Sequence, residues 1–144
     1  MKILDIAQSP PPTVAADATA QKAARVLRKS RSGAALVLAR GKLVGIVSER
    51  DLVHRVVGKG LDPHRVLVSK IMSRPVEWVG PDATLEAAFD LMQTCHVRHL
   101  AVAGPGDRPA GLLSLRRVAE ARIESASDQL RTLESFVGAD TAGD

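Results

Sequence analysis

The chain repeats itself once, at an interval of about sixty-five residues, and this restricts its fold more than any single motif does. Asp17-Ala18-Thr19 recurs as Asp82-Ala83-Thr84, a shift of 65. At the same shift "ILDIAQSP" (3–10) lies over "VSKIMSRP" (68–75), and Ala35-Leu36-Val37 over Leu100-Ala101-Val102. Gly45 then matches Gly111 at a shift of 66. The extra residue falls between the two apolar runs, where the turn around "ARGK" (39–42, within 38–43) gives way to the longer, turn-rich "AGPGDRP" (103–109). A duplicated unit tolerates an insertion of that kind in a hairpin loop. The pattern is two tandem copies rather than a solenoid array.

Each copy carries the same elements in the same order. Thr84 can cap a helix whose apolar face is Leu85, Ala88, Phe89 and Met92, at i, i+3, i+4 and i+7. Ala20, Ala23, Ala24 and Leu27 hold the same phase in the first copy, with smaller side chains. Two short apolar strands follow, "AALVLA" and "LVGIVS" in the first copy, "LAVA" and "AGLLS" in the second, each pair closed as a hairpin. A second helix then begins at a serine, in "SERDLVHRVV" and in "SLRRVAEARI". The unit is therefore extended lead-in, helix, strand, strand, helix. A sheet that small cannot bury both faces alone, so the expected fold is α/β, with the two copies packed together in pseudo-twofold symmetry. The copies are placed at 1–60 and 68–124, with a linker at 61–67 and a C-terminal helix and tail at 125–144.

Composition narrows the setting. Of 144 residues 45% are apolar and 25% charged, an ordinary globular balance. Twenty Lys and Arg against sixteen Asp and Glu leave a net charge of +4 with no block of like charge, so a nucleic-acid partner is not expected. "MKILDIAQSPPP" has too short an apolar stretch for a signal peptide, and no run approaches the ~20 residues that span a bilayer. The single Cys95 cannot form an internal disulfide. A cytoplasmic protein without membrane contact is the expectation.

The second helix starts raise a sharper question. Ser48 and Asp51 in "GIVSERD" are close to a capping box, with a carboxylate near the positive helix end. Ser48 can also cap while Asp51 points outward, with its carboxylate an acceptor. In the second copy, "GLLSLRR", Ser114 keeps the cap but Arg117 stands where the aspartate stood. A guanidinium has no acceptor.

The order of "GIVSERDL", "SRPVEWVGPDATLEAAFDLM" and "HVRHLAV", with weaker partners in the other copy, resembles the CBS domain, named for cystathionine β-synthase. The tandem resembles the stand-alone CBS-pair module over about Ile3 to Ile123. The resemblance implies a non-catalytic regulatory module whose inter-domain clefts take adenosine-containing ligands and signal to a partner protein. AMP, ADP and ATP come first, NAD and S-adenosylmethionine behind them, and no cofactor is required. It implies that Asp51 holds ribose hydroxyls, with Ile46, Ser48 and Arg50 beside it. Val76, Glu77 and Trp78 would wall the adenine, and Val97, Arg98 and His99 would bring basic groups toward phosphate. Trp78 either stacks on the base or fills the domain interface. His99 contributes charge only when protonated.

Other functions have less support. A degenerate interaction scaffold is the first rival. Against an enzyme, no nucleophile–base pair, P-loop or acid–base dyad is visible. Cys95, His96 and His99 invite a metal, but they span a helix-to-strand transition and are not expected to converge, and His54 and His64 have no matching partners. The cleft built on Arg117 would be walled by Pro12, Thr13 and Val14 with Gly33 and Ala34. It lacks the basic group of the other and is expected to take no ligand. Finally, Ile123, Leu130, Leu133 and Val137 recur at helical spacing beyond the repeats. That helix either folds back on its own module or makes a dimer contact, and a homodimer is expected.

Overall fold

Each repeat supplies one three-stranded sheet in the computed structural model, which describes residues 1–142. The last two residues of the expected tail, 143–144, lie outside the described residues. In the first half β1 (Thr13–Ala15) runs parallel to β2 (Ala34–Ala39), which pairs antiparallel with β3 (Lys42–Ser48). In the second half β4 (Trp78–Val79), β5 (His99–Ala103) and β6 (Pro109–Ser114) repeat that order and those directions. Both hairpins slip register at equivalent points, between Val37 and Leu38 and between Val102 and Ala103. Their loops differ. Arg40 and Gly41 turn in two residues with φ of 53° and 77°, the left-handed pair that a tight hairpin needs. The second loop is longer and is closed by Gly104 N–H donating to Arg108 O at 3.0 Å.

The first helices start where the threonines stand. Thr19 Oγ1 accepts from Lys22 N–H (3.2 Å) and Thr84 Oγ1 from Ala87 N–H (3.0 Å), opening α2 (Ala20–Ser30) and α5 (Leu85–Cys95). Each ends on a left-handed residue, Arg31 or His96. The next N–H reaches back to Leu27 O (3.1 Å) or Met92 O (3.0 Å), which satisfies carbonyls the helix end would orphan.

The lead-ins cross over. α1 (Ile3–Ile6) sends Ile3 and Ile6 into the core of the second half, among Met92, Leu100, Leu113 and Val118. α4 (Val68–Ile71) sends Val68 and Ile71 into the core of the first, among Leu27, Val37 and Val47. Each crossing is pinned by a reciprocal backbone pair, Gln8 with Leu112 (2.9 and 3.0 Å) and Ser73 with Ile46 (2.8 and 2.9 Å). The repeated glycine lies beneath each crossing. A Cβ on Gly45 would stand 2.5 Å from Met72 Sδ and 3.0 Å from Ser73 O, and one on Gly111 would stand 3.2 Å from Ala7 Cβ. Between the sheets Ala34 and Leu36 pack with Ala101 and Leu112, flanked by Ile46 and Val76. The segment 61–67 is tied to the first half, where Ala20 N–H donates to Val66 O at 2.9 Å.

Two features depart from the sequence pattern. The second helix of the first half is not one regular helix. α3 (Glu49–Leu52) passes into a π turn at Val53–Val57, closed by Gly58 N–H on Val53 O at 2.7 Å. Its counterpart α6 (Leu115–Ala142) runs without a break. Val118 and Ala121 of α6 are buried, but Ile123, Leu130, Leu133 and Val137 are each more than half exposed. Those four apolar side chains therefore do not pack back on the helix's own module.

Candidate functional site

Two clefts open where the halves meet. The larger, about 790 Å³, is bounded by the start of α3, the lead-in before β4 and the turn from α5 into β5. Ile46, Ser48, Arg50 and Asp51 line it from the first half. Val76, Glu77, Val97, Arg98 and His99 line it from the second. Trp78 does not join them. Parallel pairing holds it opposite Ala101, one step past Glu77, and leaves it 39% exposed outside the cleft wall. It neither lines the cleft nor belongs to the apolar cluster between the sheets.

Asp51 is turned inward. Ser48 Oγ accepts from Asp51 N–H at 3.1 Å, and Asp51 Oδ2 accepts from Ser48 N–H at 2.9 Å, a complete capping box. Asp51 Oδ1 accepts the Ser73 hydroxyl at 3.0 Å and faces Arg55 Nε at 3.7 Å. The Asp51 side chain is only 8% exposed. The expectation that it points outward is therefore corrected: a carboxylate at the third helical position is drawn back onto the cap's own N–H. Both carboxylate oxygens thus already carry a donor, and a ligand hydroxyl would meet an oxygen that is engaged.

The rest of the wall is rich in guanidinium groups. Arg50, Arg74 and Arg98 line the cleft, and among the described residues none of the three is paired with a carboxylate. Arg55 is committed, its Nη1 donating to Ile71 O and Met72 O at 3.1 Å each. His99 is half-buried. Burial, and then the positive charge of Arg98, lower its pKa below 6.5, so at neutral pH it is an uncharged hydrogen-bonding group. Cys95 and His96 also reach this cleft, yet among the described residues no group of three or more His, Cys, Asp or Glu is placed to hold a metal ion.

Sequence reasoning missed Ser73, Arg74 and Arg55. Arg55 left a legible signal, since an acid and a base four apart on a helix face one another. Ser73 and Arg74 left none, because what brings them here is the crossing of the lead-in.

The smaller cleft, about 500 Å³, has a different wall from the one expected. Gly33 and Ala34 line it, but Pro12, Thr13 and Val14 do not; Ile6, Ala7 and Gln8 take their place. Pairing of Gln8 with Leu112 brings the earlier segment in, while Thr13 already belongs to β1. Basic groups are present after all, as Arg31 and Arg116 stand there with Arg117. Ser114 Oγ caps by accepting from Arg117 N–H at 3.1 Å. The Arg117 guanidinium is satisfied within its own helix, by Glu120 at 3.4 Å and Glu124 at 3.3 Å. The cap is common to both halves; the carboxylate acceptor is not.

Comparison with known proteins gives a consistent picture. The family model described as the CBS domain matches residues 3–58 and again 68–124. An uncharacterised protein of Methanopyrus kandleri is 30% identical over 101 residues, which is 69% of this chain and 52% of that protein, under two thirds of its length. The fold superposes on a putative signal-transduction protein with CBS domains from Burkholderia ambifaria, with TM-score 0.75 and 24% identity over 86% of this chain and 95% of that one. A CBS domain protein from Pyrobaculum aerophilum complexed with AMP gives TM-score 0.71 and 28% identity, covering 81% of this chain and 89% of its own.

Proposed function

Because the chain belongs to the CBS domain family and carries two copies of the domain, we propose that it is a non-catalytic regulatory module whose larger cleft binds AMP, ADP or ATP. One observation carries this: the cleft sets the Asp51 carboxylate among three arginines, Arg50, Arg74 and Arg98, none of which has a direct carboxylate partner among the described residues. An adenosine phosphate presents a diol that donates to a carboxylate and a phosphate that accepts from guanidinium forks. The apolar side chains of Ile46 and Val76, both packed against the cluster between the sheets, offer apolar contact to a base. The relative from Pyrobaculum aerophilum, complexed with AMP, supports the same ligand class.

The functional units in this reading are 1–60 and 68–124, joined by 61–67. The cleft built on Arg117 offers no carboxylate of that kind, so one ligand binds per chain. Occupancy is relayed to a regulated protein, and two copies of the chain associate. No helix among the described residues is long and apolar enough to cross a membrane, and the reading needs neither a membrane nor a nucleic acid. The degenerate-scaffold alternative differs in a single respect: it binds no small molecule.

Isothermal titration of the whole chain with AMP, ADP, ATP, NAD and S-adenosylmethionine tests the proposal. The expected result is one site per chain for an adenosine phosphate, with the nucleotide recovered unchanged by chromatography. No binding of any of the five up to ~1 mM leaves the scaffold standing, and two equal sites per chain refute the asymmetry. Turnover of the nucleotide would make the protein an enzyme.

A further inference from the structure

We propose that Ser73 is an internal competitor for Asp51, occupying the acceptor that a ribose hydroxyl must take and so setting the affinity of the larger cleft. This rests on the reading of Asp51 as a ribose acceptor. The Ser73 hydroxyl already donates to Asp51 Oδ1 at 3.0 Å. Chemically that is the bond a ribose would make, an aliphatic O–H on a carboxylate.

The surroundings leave little room for both donors. Oδ2 is held by the Ser48 N–H, and the side chain is almost wholly covered. The Ser48 contact is fixed in the helix cap, whereas the Ser73 hydroxyl turns about a single bond. Its release does not require the lead-in to unzip, since the Ser73 backbone is pinned separately to Ile46. Arg55 keeps the serine in reach by gripping the two preceding carbonyls, those of Ile71 and Met72. Arg55 is thus a positioning residue.

The smaller cleft supplies an internal control. There Gln8 stands at the position of Ser73 and Arg117 at the position of Asp51. Gln8 turns instead to Ser32 and to Ser30 O. The competitor occurs only at the cleft that keeps the acceptor. Each binding event would also cut one side-chain tie between the second lead-in and the first half, a physical route from ligand to fold.

The test is titration of AMP and of 2′,3′-dideoxy-AMP into wild type, Ser73→Ala, Asp51→Asn and the double variant. Removing the competitor should tighten AMP binding about ten-fold, the worth of one hydrogen bond to a charged acceptor. The dideoxy analogue, which has no hydroxyl to compete, should gain nothing, and neither should Ser73→Ala placed on Asp51→Asn. Ser73→Cys, a weaker donor of similar shape, should tighten AMP binding in the same direction. Unchanged or weaker AMP binding by Ser73→Ala overturns the proposal, as does an equal gain for the dideoxy analogue or in the Asp51→Asn background. If Asp51→Asn loses affinity while Ser73→Ala gains none, only the competitor idea falls. If none of the four proteins binds AMP, the ribose reading falls with it.

Discussion

Replacing Asp51 should reveal two separable functions of one carboxylate. Spacing alone suggests that Asp51→Asn is nearly neutral for stability, because Asn borders helix starts well. The structure raises that expectation. Asp51 accepts from Ser48 N–H and from the Ser73 hydroxyl, each with the extra strength of a charged acceptor. Asn keeps one acceptor oxygen. With that oxygen on the Ser48 N–H, its amide faces Ser73, whose hydroxyl can reverse and accept. What is lost is the charge and the partner of Arg55, an ion pair at 3.7 Å whose arginine is 46% exposed and which is worth under ~1 kcal/mol. The net cost of Asp51→Asn is therefore about 1 kcal/mol.

Asp51→Ala removes both acceptors and leaves the Ser48 N–H without its partner, for about 2–3 kcal/mol. Urea unfolding with linear extrapolation resolves both changes. The expected order of stability is Asp, then Asn, then Ala. An Ala variant as stable as wild type would refute the inward-turned carboxylate. Titration with AMP reads the second function, where Asn should lose roughly ten- to hundred-fold in affinity. A variant that loses stability yet binds AMP as wild type does would make Asp51 a helix cap and nothing more.

Three further changes probe other parts of the argument. Gly45→Ala places a methyl against the Ser73 carbonyl and should destabilise by about 1–3 kcal/mol in the same unfolding assay, and no loss would mean the lead-in does not cross there. Leu130→Glu alters a side chain that is exposed in a single chain, so it should convert a dimer of twice 15.3 kDa into a stable monomer by light scattering; a monomeric wild type would remove the dimer. His99 has a folded pKa below its unfolded value, so the unfolded chain takes up the proton first. Its contribution is complete above about pH 6.5 and is lost as pH falls below that toward the folded pKa, and His99→Gln should flatten this part of the stability–pH curve.

How much of this was legible depended on whether the governing interaction was local. Thr19 and Thr84 act on N–H groups three residues away, and the Arg40-Gly41 turn needs only its own two residues. Helix starts, strands and the hairpin insertion could therefore be read directly. The crossing of the lead-ins could not. Both copies carry similar lead-ins and similar cores, so the sequence does not say which lead-in packs on which core. The only trace was the glycine at 45 and 111, whose reason appears once the foreign backbone is seen above it. The resemblance had placed Val76 and Glu77 in the wall, but the closer consequences of the crossing were missed: Ser73 on Asp51, Gln8 in the second cleft, and the displacement of the wall from Pro12–Val14 to Ile6–Gln8. Trp78 failed differently. Its place past the cleft is fixed by the register of a two-residue strand, which composition does not set.

The divergence of the two repeats follows from the same geometry. In the first half the second helix carries Asp51 and Arg55, and both reach across to the other repeat's lead-in, one at Ser73 and the other at Ile71 and Met72. That helix is short, and its π turn closes at Gly58. In the second half the matching residues are Arg117 and Ala121. Ala121 is buried in its own core, and Arg117 pairs along its own helix with Glu120 and Glu124. These i,i+3 and i,i+7 pairs stabilise α6 along its length rather than tying it across the cleft. That helix continues to Ala142 with an apolar stripe exposed. Arg117 thus differs from Asp51 in more than the lack of an acceptor. Its partners lie on the next turns of its own helix, where those of Asp51 include the neighbouring repeat's Ser73.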